Sequence, residues 1–195
     1  GFGPIVVPDI IWLTWAITVF CVVGVTNAVN MIDGFDGLAG SVTFISFLTF
    51  SVLSSLSGNT TLMLINLALA GAVLGFLRYN WPPSVLFMGD AGSLCLGFSL
   101  SFMAVALTQG ESTLVRPIIV LLVLAVPISD TIGVMTKRIF AGRSPFKPDK
   151  THLHHILIRQ GFDGRRPVKI ILVLCVVMSG ISVMGVIFQF SERLL

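Results

Sequence analysis

Asn27-Ala28-Val29-Asn30-Met31-Ile32-Asp33-Gly34-Phe35-Asp36-Gly37-Leu38 separates two long apolar runs. Two amides and two carboxylates, Asn27, Asn30, Asp33 and Asp36, recur at three-residue spacing. On a helix, groups three apart are neighbours on one face. Gly34 and Gly37 then interrupt the helix and permit close backbone approach to a ligand. A polar cluster at the end of an apolar span is unfavourable unless it lines water or binds something. A helix C-terminus with a glycine stop and two solvated aspartates is the simpler alternative. Two Asp-Gly pairs one turn apart, preceded by two Asn, exceed what a stop requires. The Asp-x-x-Asp spacing does not fit a calcium loop.

The flanking runs set the class of the molecule. The 195-residue chain is 55% hydrophobic and 11% charged, against ~25% charged for an ordinary soluble domain. Its mean hydropathy is +0.98. Apolar spans can be drawn at 10–26, 38–56, 62–77, 93–107, 114–136 and 168–190, each approaching the ~20 residues that a bilayer requires. The predicted fold class is therefore all-α, a polytopic transmembrane helix bundle of about six spans, in a single membrane domain over 1–195. Cys21, Cys95 and Cys175 each lie within an apolar run. They read as small buried hydrophobes rather than as a disulfide framework or metal cluster. No fixed-period repeat or low-complexity tract interrupts the pattern.

The gaps between spans are of two kinds. Those at 57–60 and 108–112 are short and nearly uncharged, as tight turns between antiparallel helices are. Those at 27–37, 78–92 and 137–167 are polar, and parity along the spans puts all three on one side. That side holds Arg78, Lys137, Arg138, Arg143, Lys147, Lys150, Arg159, Arg165, Arg166 and Lys169, ten of the 12 basic residues; Arg116 and Arg193 remain opposite. Basic residues favour the cytoplasmic side. Parity and charge are independent, and both predict three polar segments facing the cytoplasm together.

The second of these segments carries Asn80 and then Phe87-Met88-Gly89-Asp90-Ala91-Gly92-Ser93. Asp90 or Ser93 could simply cap the helix that follows. Alternatively Asp90 is a ligand for a hard cation such as Mg²⁺, which takes one or two carboxylates and completes its shell with phosphates and water. The third segment contains Arg143-Ser144-Pro145-Phe146-Lys147-Pro148-Asp149-Lys150-Thr151-His152-Leu153-His154-His155, with all 3 histidines of the chain. Among Arg143, Lys147 and Lys150 they suit phosphate binding better than zinc. A positive-inside loop explains the lysines and arginines but not the histidines. Asp130, inside the fifth span about two turns before Lys137, is a functional candidate by its position, or a carboxylate paired with a nearby base or amide. Carboxylates for a divalent cation, cations for phosphate and apolar grooves beside them suit chemistry between a soluble phosphorylated donor and a lipid phosphate acceptor.

Residues 27–38, 87–93 and 143–155 together resemble the polyprenyl-phosphate sugar-1-phosphate transferases. The His-x-His-His form at His152, His154 and His155 resembles the undecaprenyl-phosphate N-acetylglucosamine-1-phosphate transferase branch. The likeness covers essentially the whole chain, with three motifs in order. It implies attack of undecaprenyl phosphate on the β-phosphate of UDP-N-acetylglucosamine, with loss of UMP, aided by Mg²⁺ (or Mn²⁺). It further implies Asp90 as metal ligand, Asn30, Asp33 and Asp36 as the catalytic and nucleotide-side cluster beside Gly34, and Asn80 and Phe87 at the uracil ring. His152, His154, His155 and Arg143 fall in its phosphate-handling loop. The expected partners are those two substrates and the lipid bilayer of a bacterial inner membrane, with no nucleic acid; a homo-oligomer is compatible with the sequence.

One departure accompanies the likeness. The family carries an Asp-Asp-x-x-Asp motif in an earlier cytoplasmic loop, and no Asp-Asp pair occurs here. The expectation is that these residues form the C-terminal part of a longer enzyme and are inactive in isolation. Two further readings stand beside the transferase: a non-catalytic scaffold derived from it, and a transporter using Asp130 and the basic loop. A transporter would distribute polar residues along a path, whereas here the charges gather at one face. The product the likeness implies opens a lipid-linked glycan: O antigen, a common antigen or a wall polymer.

Overall fold

The computed structural model describes residues 11–109, 114–142, 144, 152–162 and 165–189. Among these the chain forms helices α1 (Ile11–Ile32), α2 (Leu38–Leu56), α3 (Thr60–Asn80), α4 (Gly89–Thr108), α5 (Pro117–Val123), α6 (Ala125–Phe140), α7 (Leu153–Arg159) and α8 (Arg166–Ile187). No strand occurs among the described residues. The protein is a polytopic helical membrane bundle, as its apolar runs require. α1, α2, α3, α4 and α8 are each long and apolar enough to cross a membrane. At 1.5 Å per residue, the 22 residues of α8 reach about 33 Å, slightly more than a hydrocarbon core of about 30 Å.

The fifth apolar run is not one straight span. It divides at Leu124 into α5 and α6, whose axes differ by 77°. Pro127 supplies the cause. It has no N–H to give the carbonyl four residues earlier, and its ring collides with that carbonyl, at Val123. α5 ends at Val123, and the chain restarts in a new direction.

Three boundaries also move toward the polar end. α1 continues through Asn27 and Asn30 to Ile32, α3 continues to Asn80, and α4 begins at Gly89. Asp33 and Asp36 lie in the turn beyond α1, so the three-residue spacing is helical only as far as Asn30. Asn27 is exposed and gives its amide to the Val23 carbonyl, apart from the other three.

α2 is the axis of the bundle. It packs against α1, α3, α4 and α8, and 72% of its span is buried, against 17% for α1. Polarity on a buried helix is tolerable because its hydroxyls stay at home: Thr43, Ser46, Thr49 and Ser54 donate to the carbonyls of Ala39, Val42, Ile45 and Phe50. Small side chains let neighbours approach, as is usual within membranes. A Cβ on Gly40 would lie 2.8 Å from Leu77 of α3, and one on Gly97 of α4 would lie 2.8 Å from the Thr26 backbone of α1. Large apolar side chains such as Trp12, Phe20, Phe102 and Val173 point outward, the arrangement that lipid favours and water would penalise.

Candidate active site

The polar ends of α1, α3 and α4 and the starts of α7 and α8 meet at one end of the bundle. The parity of the spans is thus reproduced by direct contacts. Asn30, one helical turn past the α1–α4 crossing, donates to Ser93 Oγ at 2.8 Å and to Asp90 Oδ1 at 3.2 Å. Ser93 is fully buried and itself donates toward the Gly89 carbonyl at 3.1 Å. The amide therefore ties the first turn of α4 to the last turn of α1, with Asp90 left exposed above it.

Gly37 caps α2 in the left-handed region (φ 75°), which a glycine adopts without steric penalty. Its N–H donates to Asn80 Oδ1 at 2.9 Å, and Asn80 Nδ2 donates to the Leu86 carbonyl at 2.8 Å. Asn80 is buried with both ends of its amide engaged. It is a strut that holds the turn after α1 against the loop after α3. Phe87, next to that loop, presents its ring to solvent at 73% exposure. Asp36 receives a long contact from the Ser84 N–H at 3.4 Å.

A cavity of about 310 Å³ opens between these pieces, walled by Asp33, Gly34, Asp36, Asn80, Phe87 and Asp90 among others. Burial, and then the carboxylates of Asp90 and Asp36, push the Asp33 carboxyl above its ordinary range. Like charges crowded this way disfavour one another's ionisation. A second cavity of about 410 Å³ lies behind the same wall, sharing Gly34, Phe35 and Asp36 and adding Pro82, Arg165 and Val168. Arg165, at the cap of α8, is held there by a 2.6 Å hydrogen bond to the Pro82 carbonyl.

The histidines occupy unequal places. His152 pairs through Nδ1 with Asp130 Oδ2 at 2.9 Å, and the Leu153 N–H donates to Asp130 Oδ1 at 2.7 Å. Asp130 is thus not stranded in mid-membrane: the redirected α6 carries it to the histidine segment. His154 is 2% exposed, with neither ring nitrogen hydrogen-bonded. Its ring lies 5.0 Å from that of Phe35 and 4.3 Å from that of His155. Burial first, then the neighbouring His155 and His152, push its pKa down to about 4, so the ring is neutral near pH 7. A Cβ on Gly34 would stand 3.1 Å from its Cε1 and Nε2. His154 is therefore packed behind the wall of the acidic cavity. Arg143 lies outside the described residues.

A divalent cation fits the acidic cavity by donor chemistry. Three carboxylates line the one cavity, and Asp90 and Asp36 add to the burial that raises the Asp33 carboxyl, a crowding of like charge that a cation would offset. Among the described residues no group of three or more His, Cys, Asp or Glu side chains closes on a single point. Magnesium needs no such cage when substrate phosphates complete its shell. Sequence reasoning did not single out Ser84 or Arg165. Arg165 stood in a general basic tally, and only the fold shows which loop carbonyl it reaches.

Comparison with known proteins gives the family. Residues 2–108 match the model of glycosyl transferase family 4. The undecaprenyl-phosphate alpha-N-acetylglucosaminyl 1-phosphate transferase of Salmonella typhi is 33% identical over 130 residues, which is 65% of this chain and 35% of that protein. Its namesake from Escherichia coli K12 is 33% identical over 132 residues, 66% of this chain and 36% of the relative. That from Pasteurella multocida is 36% identical over 110 residues, 56% and 31% of the two chains. The aligned part is about a third of the length of these curated relatives. The matched residues include the Asn27–Leu38 stretch, the Asn80 strut and Asp90, and on that match the chain belongs to glycosyl transferase family 4.

Proposed function

We propose that the whole protein transfers N-acetylglucosamine-1-phosphate from UDP-N-acetylglucosamine to undecaprenyl phosphate at the cytoplasmic face of a bacterial inner membrane. The observation that carries the reading is the pair of cavities back to back across Gly34-Phe35-Asp36, one lined by the carboxylates of Asp33, Asp36 and Asp90, the other setting Arg165 beside apolar Pro82 and Val168. The nucleotide sugar suits the acidic side, where Phe87 offers an exposed ring for the base and Asn80 fixes the wall beside it. Mg²⁺, bound by Asp90 with support from Asp33 or Asp36, would neutralise the diphosphate and the charge on leaving UMP. The lipid phosphate suits the other side. There Arg165 offers a guanidinium fork, and Val168 opens the first turn of a membrane-crossing helix. An oxygen of the lipid phosphate attacks the β-phosphorus, the bond from that phosphorus to the UMP oxygen breaks, and a lipid-linked diphosphate sugar forms. Neutral His154 braces the dividing wall, so phosphate contact falls to His152, His155, Arg143 and Arg165.

The concentration of basic residues at this end supports its cytoplasmic placement. The product would open assembly of a lipid-linked glycan. Membranes carrying the complete gene product, given radiolabelled UDP-N-acetylglucosamine and undecaprenyl phosphate, should form labelled lipid and free UMP in a Mg²⁺-dependent manner. Asp90→Asn should insert normally and lose metal-dependent UMP release. Retained turnover by that variant would overturn the metal role, and absence of labelled lipid from the unaltered protein would overturn the reaction.

A further inference from the structure

We propose that Asp130 is a positioning residue: it fixes His152 as the Nδ1–H tautomer and pins the start of α7 to α6, leaving Nε2 as the ring atom that meets a substrate phosphate. The last clause rests on the transferase reading; the pairing itself does not. The Asp130 side chain is 5% exposed and that of His152 10%. A carboxylate withdrawn from water this far requires donors on its oxygens. It has one on each: Leu153 N–H at 2.7 Å on Oδ1, and His152 Nδ1 at 2.9 Å on Oδ2. An ionised carboxylate only accepts, so the facing ring nitrogen must carry the proton. That holds whether the imidazole is neutral or cationic. Nε2 is then the sole position at which His152 can exchange a proton with a ligand.

Two further contacts give the pairing consequences beyond one ring. Leu153 N–H is a first-turn donor of α7 without a partner inside its helix. α7 has 7 residues, too few to persist without tertiary anchors. The His152 ring also lies parallel to that of His154, at 5.8 Å and 3° between planes, and His154 rests on Phe35 and Gly34 of the dividing wall. The carboxylate on the bent membrane helix therefore sets the plane and tautomer of a ring stacked directly behind the site. Carboxylates that orient a metal-bound histidine matter about 10- to 100-fold in function, and the same scale is expected for a histidine oriented toward phosphate.

The test uses the full-length protein in lipid nanodiscs, with histidines labelled by ¹⁵N and His152 assigned by difference with His152→Gln. The unaltered protein should show His152 protonated at Nδ1. A ring protonated at Nε2 and bare at Nδ1 overturns the proposal without any Asp130 variant. Asp130→Asn keeps an acceptor for Leu153 N–H but turns an amide donor toward Nδ1, so the proton should move to Nε2. The kcat for sugar-phosphate transfer should fall on the order of 10- to 100-fold, with KM for the nucleotide sugar within about threefold. A switched tautomer with unchanged kcat would overturn the positioning role. If the unaltered protein transfers no sugar phosphate, the transferase reading fails, while the spectrum still decides the pairing.

Discussion

Gly97→Ala tests whether the α1–α4 crossing sets the geometry of the site. A Cβ at this position would stand 2.8 Å from Thr26 Cα, 2.8 Å from the Thr26 carbonyl oxygen and 3.1 Å from Val29 Cβ. Non-bonded carbons settle at about 3.5–4.0 Å, so the helices must part by roughly 0.7–1.2 Å. The nearest obstacles are backbone atoms, and no side chain can rotate away from them. Overpacking of this kind costs about 1–3 kcal/mol. Removing a mid-helix glycine returns about 0.5–1 kcal/mol of that, which leaves a net loss of about 1–2 kcal/mol. The site is more sensitive than the fold. Asn30 lies one turn beyond Thr26, and Ser93 and Asp90 lie one and two turns before Gly97, so the separation acts directly on their hydrogen bonds. The 3.2 Å contact from Asn30 to Asp90 would pass beyond hydrogen-bonding distance. Displacement on this scale typically lowers turnover by up to about 100-fold. Thermal unfolding in detergent and the UMP-release assay should therefore both register the change, the assay more strongly. Gly71→Ala and Gly180→Ala are the controls, since nothing lies within 4 Å of a Cβ at either helical position. They should be neutral or slightly stabilising. Wild-type unfolding and turnover in Gly97→Ala, or equal losses in the controls, would refute the reasoning.

Asn80→Ala deprives the Gly37 N–H and the Leu86 carbonyl of their shared partner and should cost about 2–4 kcal/mol, seen as a lower unfolding temperature with a raised KM for the nucleotide sugar. Gly34→Ala brings a methyl to 3.1 Å from the His154 ring; a shift of a few tenths of an ångström, costing about 1 kcal/mol, should lower turnover several-fold, and Gly34→Val should lower it further. The low pKa of His154, about 4 against an ordinary 6.5, makes the unfolded chain bind more protons than the native one between those values. Stability contributed by its neutral form is complete above about pH 6.5, falls by up to about 3 kcal/mol as the pH drops to 4, and is level below that. Unfolding of the wild type minus that of His154→Gln should show this slope; a difference independent of pH would remove the assignment.

Helices and the gathering of polar segments were legible because each rests on composition or counting. Runs of apolar residues near bilayer length leave few alternatives, and span parity alone put the three polar segments together. The break in the fifth run was legible in principle. Pro127 stands inside it, but an averaged hydropathy is blind to a missing N–H. α7 was not legible, because a helix of about two turns draws its stability from Asp130 and α8 rather than from its own sequence. The role of Asn80 was hidden for a related reason. Its two partners are backbone atoms 43 and 6 residues away, and backbone atoms have no signature in a sequence. The histidine cluster read as a single basic device. Only packing separates a buried neutral ring, His154, from one paired with a carboxylate, His152.

The enclosure of α2 divides the molecule into two regimes of tolerated substitution. Most of α2 is ringed by other helices, with Val52 and Leu56 turned outward near its end, so selection on its enclosed part acts on volume: Ser41, Ser46 and Ser54, each 3% exposed or less, should exchange freely with alanine and poorly with leucine. On the outward faces of α1, α3 and α8 the rule inverts. There side chains such as Phe20, Leu74 and Val173 can change size at little consequence, but a charge would be selected against at about 2–4 kcal/mol near mid-membrane. Sequence drift in this protein should therefore follow two alphabets at once, one ranked by size around its axis and one ranked by polarity around its rim.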